Sequence, residues 1–420
     1  MRRWPALLIA ALLPPALAPA AKDSCLECHS ALDGNLAAPA AAFKNDVHAR
    51  RGFGCASCHG GDPAQDDPAA AMSRARGYLG KIARTEVPRM CARCHSDANL
   101  IHKFRPQQRV DQLAQYRTSM HGKRLAAGDT AVANCVDCHG VHDIREVKDA
   151  LSPVHPLRLP QTCARCHANA ALMARYKLPT VQFEEYRQSV HWEALAKRRD
   201  LSAPSCASCH GNHGATPPQV TSVAAVCGSC HALLEDLIRK SPHKSIFTAA
   251  GMGGCAVCHG NHKVLRTSIE LLAGANAVCA QCHEAASAGG AAATEMAKLI
   301  SGLNAALDRS DRILAQAARD GMEVSEAVLR QQEGREALVK ARVAVHVSQL
   351  EAVAAPAKEG LAIAAETHRA GQAALRERDV RRLGLLFSLA AISLTIAGLW
   401  LALRSIERRS REARISSGGD

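Results

Sequence analysis

The 420 residues carry 52 Lys and Arg against 39 Asp and Glu, a formal net charge of +13 at pH 7, with 18 cysteines and only 3% aromatic residues. Large side chains are too scarce for the cysteine-bearing part of the chain to bury an ordinary apolar core. The positive charge invites a nucleic-acid partner, but no motif of a nucleic-acid-binding module is present.

The chain opens on MRRWPALLIAALLPPALAPAA, with two arginines, a short apolar run from Ala6 to Leu13, and Ala18 and Ala20 in an A-x-A arrangement. This is the pattern of a secretory signal peptide over residues 1–21. The run is too short to span a bilayer and is broken by Pro14 and Pro15. Cleavage near Ala20 places the mature chain outside the cytoplasm.

A pentad C-x-x-C-H then recurs nine times. In order it is Cys25, Cys28 and His29; Cys55, Cys58 and His59; Cys91, Cys94 and His95; Cys135, Cys138 and His139; Cys163, Cys166 and His167; Cys206, Cys209 and His210; Cys227, Cys230 and His231; Cys255, Cys258 and His259; Cys279, Cys282 and His283. These nine pentads use all eighteen cysteines. Two cysteines at this spacing form thioethers to the vinyl groups of one porphyrin, and the adjacent histidine lands beneath the iron as an axial ligand. Structural zinc, a disulfide framework or a thioredoxin-like redox pair explains C-x-x-C, but none requires a histidine directly after the second cysteine. The spacing therefore predicts nine covalent haems c. An exported chain agrees with this, since covalent haem attachment in bacteria takes place outside the cytoplasm.

A second layer of histidines surrounds the pentads. In CVDCHGVH, CASCHGNH and CAVCHGNH a further histidine follows three residues after the first: His142, His213 and His262. Three residues cannot carry the chain around a porphyrin rim, so the second histidine serves another iron or none. A leading histidine precedes each of these motifs in YRTSMH, YRQSVH and IRKSPH (His121, His191 and His243), and a plain CxxCH follows. This unit of roughly 50 to 70 residues occurs three times in a row, the mark of stacked modules. A degenerate copy comes first: His48 leads into CASCHGGD, with Asp62 in place of the second histidine, and CARCH follows. His102 or His155 is available to supply the absent ligand. Nine histidines thus lie outside the pentads between Cys25 and His283, namely His48, His102, His121, His142, His155, His191, His213, His243 and His262. Nine irons and nine spare histidines predict bis-histidine ligation throughout.

The leading S-x-H, the CxxCHGxH and the trailing CxxCH resemble the doubled-CXXCH multihaem cytochromes c, periplasmic proteins of bacterial anaerobic respiration and extracellular electron transfer. The resemblance covers Cys25 to His283. It implies closely spaced haems, bis-histidine irons and electron transfer, with the motif cysteines as attachment sites and the pentad histidines as proximal ligands. His121, His142, His191, His213, His243 and His262 are distal ligands on the same basis. The expected fold is mainly α and irregular, with short helices beginning at or near each pentad and long loops between them. Nine haems would also bring eighteen propionates, which largely match the excess of Lys and Arg.

After His283 the chain changes character. No cysteine remains, and Met296, Leu299, Leu303, Leu307, Leu314 and Ala317 recur at helical spacing. Gly321 ends this helix; a second is predicted from about Val324 to Ala355, and Pro356 kinks it or starts a third. His346 and His368 read as ordinary helix-face residues. The one-sided apolar pattern needs a partner, either the adjacent helix folded back or a second chain in a coiled coil. Leu383 to Leu403 is an uncharged, mainly apolar run that would span about 30 Å as a helix. The expected organisation is a haem domain over 22–290, a helical spacer over 291–382, a transmembrane helix over 383–403 and a basic cytoplasmic tail over 404–420.

Two functional readings follow. One is a membrane-anchored periplasmic conduit between a quinol-oxidising inner-membrane donor and periplasmic or outer-membrane cytochromes or reductases. The other is a terminal reductase of a small oxyanion, which needs an iron with an open position.

Overall fold

The structure is a computed structural model that describes residues 23–274 and 276–416; the predicted signal peptide lies outside the described residues. The described chain is built of helices, turns and loops, with no strand among the described residues. It divides into two compact units. One runs to Val226 and includes Asn261–Leu265; the other holds Cys227–Gly260 and everything from Arg266 onward.

In the first unit the pentads sit on short helices. Ser24–Ser30, Ala56–His59, Val87–His95, Cys135–His139, Leu159–His167 and Cys206–His210 each carry one, with the histidine at or next to the C-terminal residue. Local chemistry starts them. The Asn134 side chain accepts from the Val136 amide at 3.1 Å, while Asp137 accepts from the Asn134 amide at 2.7 Å, a reciprocal cap. Val87–His95 and Leu159–His167 begin instead with Pro88 and Pro160 in the first turn, where a missing amide hydrogen costs nothing. Gly60 and Gly211 end their helices at φ 69° and 77°. A Cβ at Gly60 would lie 2.0 Å from the carbonyl oxygen of Gly77, so the glycine of CHG cannot carry a side chain there.

The leading histidines are fixed by the serine before them. Ser119 Oγ caps Met120–Ala126 through the Gly122 amide at 3.0 Å, and Ser189 Oγ caps Val190–Trp192 through the Trp192 amide at 3.1 Å. The tyrosine of each YRxSxH reaches forward to the next pentad: Tyr116 donates to Ala133 O and Tyr186 to Pro204 O, both at 2.7 Å. Asp46, 1% exposed, accepts from the His48 and Ile144 amides at 2.8 Å each and joins segments nearly a hundred residues apart. Among the described residues, both hydrophobic clusters lie outside this unit.

The second unit holds pentads on Val223–Ser229, Gly254–His259 and Cys279–Gln281, then three long helices. These are α1 (Ala288–Arg319), α2 (Ser325–Ala344) and α3 (Leu350–Ser416). The apolar stripe of α1 is buried as its spacing predicts: Met296, Leu303, Leu307, Leu314 and Ala317 are all under 5% exposed. Its partners come from the same chain. Gly321, at φ 77°, turns α2 back along α1, and α3 completes a three-helix bundle. Gly334 and Gly360 let the backbones close up, since a Cβ at either would meet Leu307 or Leu303 at under 3 Å. One polar layer crosses the apolar core. Ser310 Oγ and Thr367 Oγ1 lie 2.7 Å apart, Thr367 donates to Gln331 Oε1 at 2.7 Å, and Gln331 donates to Leu307 O at 2.9 Å. A satisfied polar layer of this kind holds the helices in one register.

The helix boundaries differ from the sequence reading in one place. α2 stops at Ala344 rather than near Ala355, a 3₁₀ turn spans Val345–Val347, and Ser348 adopts a left-handed φ of 58°. Pro356 lies in the second turn of a continuous α3. The break is set by what its side chains reach, since Ser348 Oγ lies 2.9 Å from His243 Nδ1 and 3.0 Å from Ser241 Oγ. Beyond Arg382 the apolar residues of α3 pack against nothing among the described residues: Leu385, Phe387, Leu394 and Leu399 are 59 to 75% exposed. This helix is long and apolar enough to cross a membrane.

Leu303 is fully buried between α2 and α3. Leu303→Ala is expected to destabilise the bundle by about 3 kcal/mol, whereas Leu329→Ala, at a side chain 64% exposed, should change stability little; urea unfolding followed by circular dichroism measures both.

Candidate haem sites

Once their helices have placed them, the histidines of this chain face each other in pairs. Their ring centroids are 6.0 Å apart for His48 and His95, 6.2 Å for His59 and His142, 6.1 Å for His121 and His167, and 6.1 Å for His139 and His213. His210 and His262 stand 5.9 Å apart, His243 and His283 5.9 Å, and His259 and His346 6.1 Å. In all seven pairs one ring belongs to a CxxCH and the other does not. An imidazole nitrogen bonds a transition metal at about 2 Å and the ring centre lies a further ~1 Å behind it, so two imidazoles across one iron have centroids roughly 6 Å apart. Ordinary aromatic packing also allows that distance, but it does not select one pentad histidine per pair.

The rings are oriented for the task. His59 Nδ1 lies 3.0 Å from Gly80 O, His48 Nδ1 2.8 Å from Asp46 Oδ1, and His346 Nδ1 2.9 Å from Val343 O, which leaves Nε2 free in each. Burial holds His95, His121, His142, His167, His210, His213, His243 and His259 below the ordinary imidazole pKa. His139 is pushed down to about 4 by burial, reinforced by His213 and His95. These rings are therefore neutral near pH 7, the form that binds a metal.

The cysteines fit thioether attachment better than the alternatives. No disulfide joins any of the eighteen cysteines. Among the described residues no three His, Cys, Asp or Glu side chains converge as a zinc site would require. Neighbouring pentads approach one another: the Cys91 thiol touches Cys135, Cys163 touches Cys206, and Cys227 touches Cys255. Cys25 lies beside Cys55, Cys58 beside Cys94, Cys138 beside Cys166, and Cys258 beside Cys279. Within each unit the pentads thus follow one another in space as they do in sequence.

The structure places the two histidines of each CHGxH apart. His139 faces His213, whereas His142 faces His59; His210 faces His262, whereas His213 faces His139. His142, from the following doubled motif, stands opposite His59. Asp62 pairs instead with Arg76. His102 Nε2 is 3.1 Å from Gln108 O, and the buried His155 accepts the Leu157 amide at 3.3 Å; among the described residues neither faces a pentad histidine. His29 has its Nδ1 3.0 Å from Leu36 O and faces no second imidazole among the described residues. His191 sits in its module's leading position on the turn capped by Ser189.

The sequence places His346 on a helix face. It lies in the turn between two helices rather than on a helix face, and its ring stacks at 24° on His259. His368, read the same way, does sit on α3, 3.2 Å from Gln372.

Helical pentads and facing imidazoles define a protein that binds several haems covalently. Residues 47–168 and 198–284 match the family model of cytochrome c3, and residues 10–60 match that of cytochrome c554 and c-prime. No curated protein and no solved structure matches the chain. The chain is a multihaem c-type cytochrome, whose covalently bound haems c take up and release electrons.

His142→Ala should leave the haem of Cys135 and Cys138 attached while one other iron, that above His59, loses its low-spin signal. Electron paramagnetic resonance with a pyridine haemochrome count checks this, and a change confined to the haem of Cys135 and Cys138 would contradict the pairing.

Proposed function

We propose that this cytochrome is a membrane-anchored periplasmic conduit that takes electrons from a quinol-linked inner-membrane donor and passes them to periplasmic or outer-membrane acceptors. It carries nine haems c, one on each CxxCH. The observation that carries the reading is the set of facing histidine pairs. With His48, His121, His142, His191, His213, His243 and His262 as sixth ligands, those irons are closed to substrate and suited to outer-sphere transfer. The close approach of consecutive pentads supports a continuous path within each unit.

The anchor is the apolar length of α3, residues 383–403. Arg381 and Arg382 precede it, and Arg404 lies over the Trp400 ring at 4.0 Å, an aromatic and a cation where a headgroup layer would begin. With the haem pentads exported, the tail from Arg404 is cytoplasmic. Between Val353, at the haem-proximal end of the bundle, and Leu383 about 30 residues of helix span roughly 45 Å. That distance favours a protein donor over direct reaction with quinol in the lipid.

Two outcomes test this reading. The mature protein should carry nine covalent haems by mass and haemochrome assay, and seven or fewer would contradict it. A chain ending before Leu383 should be soluble, fully loaded and still reduced by its protein donor; rapid reduction of the full-length protein in liposomes by menaquinol alone would make it a quinol dehydrogenase instead. A large high-spin signal that shifts on adding nitrite would favour the oxyanion reductase.

A further inference from the structure

The second histidines form a ladder with a fixed step. His142 faces His59, His213 faces His139, and His262 faces His210. Each CHGxH therefore reaches back to the pentad of the doubled motif before it. The last doubled motif, Cys255 to His262, has no successor: the next pentad is followed by Glu284, and no later CHGxH exists. By the logic of the ladder His259 should face nothing. Yet a ring stands 6.1 Å from it at 24°, within the spread of the other pairs, and that ring is His346.

We propose that His346 Nε2 is the sixth ligand of the haem iron held by Cys255, Cys258 and His259, so that the helical bundle closes the end of the haem ladder. The proposal rests on the bis-histidine reading above.

A loop built for the purpose supports it. The α2–α3 connection interrupts two otherwise continuous helices with a 3₁₀ turn and a serine at φ 58°. A left-handed conformation is unfavourable for a non-glycine residue, so the turn is held by what it touches. His346 Nδ1 is engaged by Val343 O at 2.9 Å, as His59 is by Gly80 O, which fixes the ring and frees Nε2. Two residues on, Ser348 Oγ lies 2.9 Å from Nδ1 of His243, and His243 faces His283. One short break therefore offers a ring to the eighth haem site and orients a ring at the ninth. The bundle is then part of the cytochrome and not a spacer hung from it, and the haems nearest the anchoring helix depend on its register.

Full-length holoprotein carrying His346→Ala, His346→Met or His368→Ala provides the test, read by haemochrome count, electron paramagnetic resonance, near-infrared magnetic circular dichroism and redox titration. In the alanine variant the haem count should be unchanged, one iron should become high-spin, and free imidazole should restore it. In the methionine variant every iron that is low-spin in the wild type should remain so, with one showing thioether ligation and a raised potential; this variant keeps the question answerable if the alanine variant loads poorly. His368→Ala should match the wild type. Wild-type spectra and potentials in fully loaded His346→Ala and His346→Met would overturn the assignment of His346 alone. A wild-type protein without bis-histidine low-spin irons would overturn the underlying reading as well, and would be seen before any variant is made.

Discussion

A histidine that directly follows its second thioether cysteine is tied beneath its own porphyrin and cannot reach the other face. Every sixth ligand must then come from elsewhere in the chain, and this constraint organises the molecule. It explains why segments far apart in sequence are brought together in a region with almost no apolar core. Residue 48 is carried to residue 95, 121 to 167 and 243 to 283, each from a leading position to the trailing pentad of its module. Serine caps and tyrosine hydroxyls hold the leading histidines in place, doing locally what apolar packing does in an ordinary domain.

The same constraint predicts trouble at the ends of a repeat array. The first doubled motif has Asp62 where its successors have a histidine, and no earlier doubled motif needs to be reached; the side chain is free to pair with Arg76. At the other end an iron needs a ligand that no further repeat can supply. A terminal repeat in a stacked array is usually atypical because its outer face lacks a neighbour. Here the residues that follow form a helical bundle with its own apolar core, and the long apolar helix continues out of it.

Much of this was legible in the residues. CxxCH spacing names its cofactor almost unaided, because chemistry dictates three positions within five. The α1 stripe from Met296 to Ala317 follows from helical periodicity, and glycine after each doubled pentad follows from the turn it makes. What was not legible depended on distance in space. Periodicity carries α2 through to Ala355, yet the helix stops at Ala344, because Ser348 and His346 are wanted by partners about a hundred residues earlier. A lone histidine between alanine-rich helices has no local mark of a ligand. Its sequence clue lay in the repeat itself: the final doubled motif has nothing after it to complete it. His102 and His155, which counting enlists, each have one ring nitrogen within reach of nearby backbone.

The central claim is that each facing pair holds one iron, and locating the irons tests it most directly. Anomalous diffraction at the iron edge from crystals of the mature holoprotein would give their positions without reference to the protein chain. The account predicts one iron between the two rings of each of the seven described pairs, including His139 with His213, His142 with His59, and His259 with His346. An iron bound by both His139 and His142, or pairs with no iron between them, would contradict it.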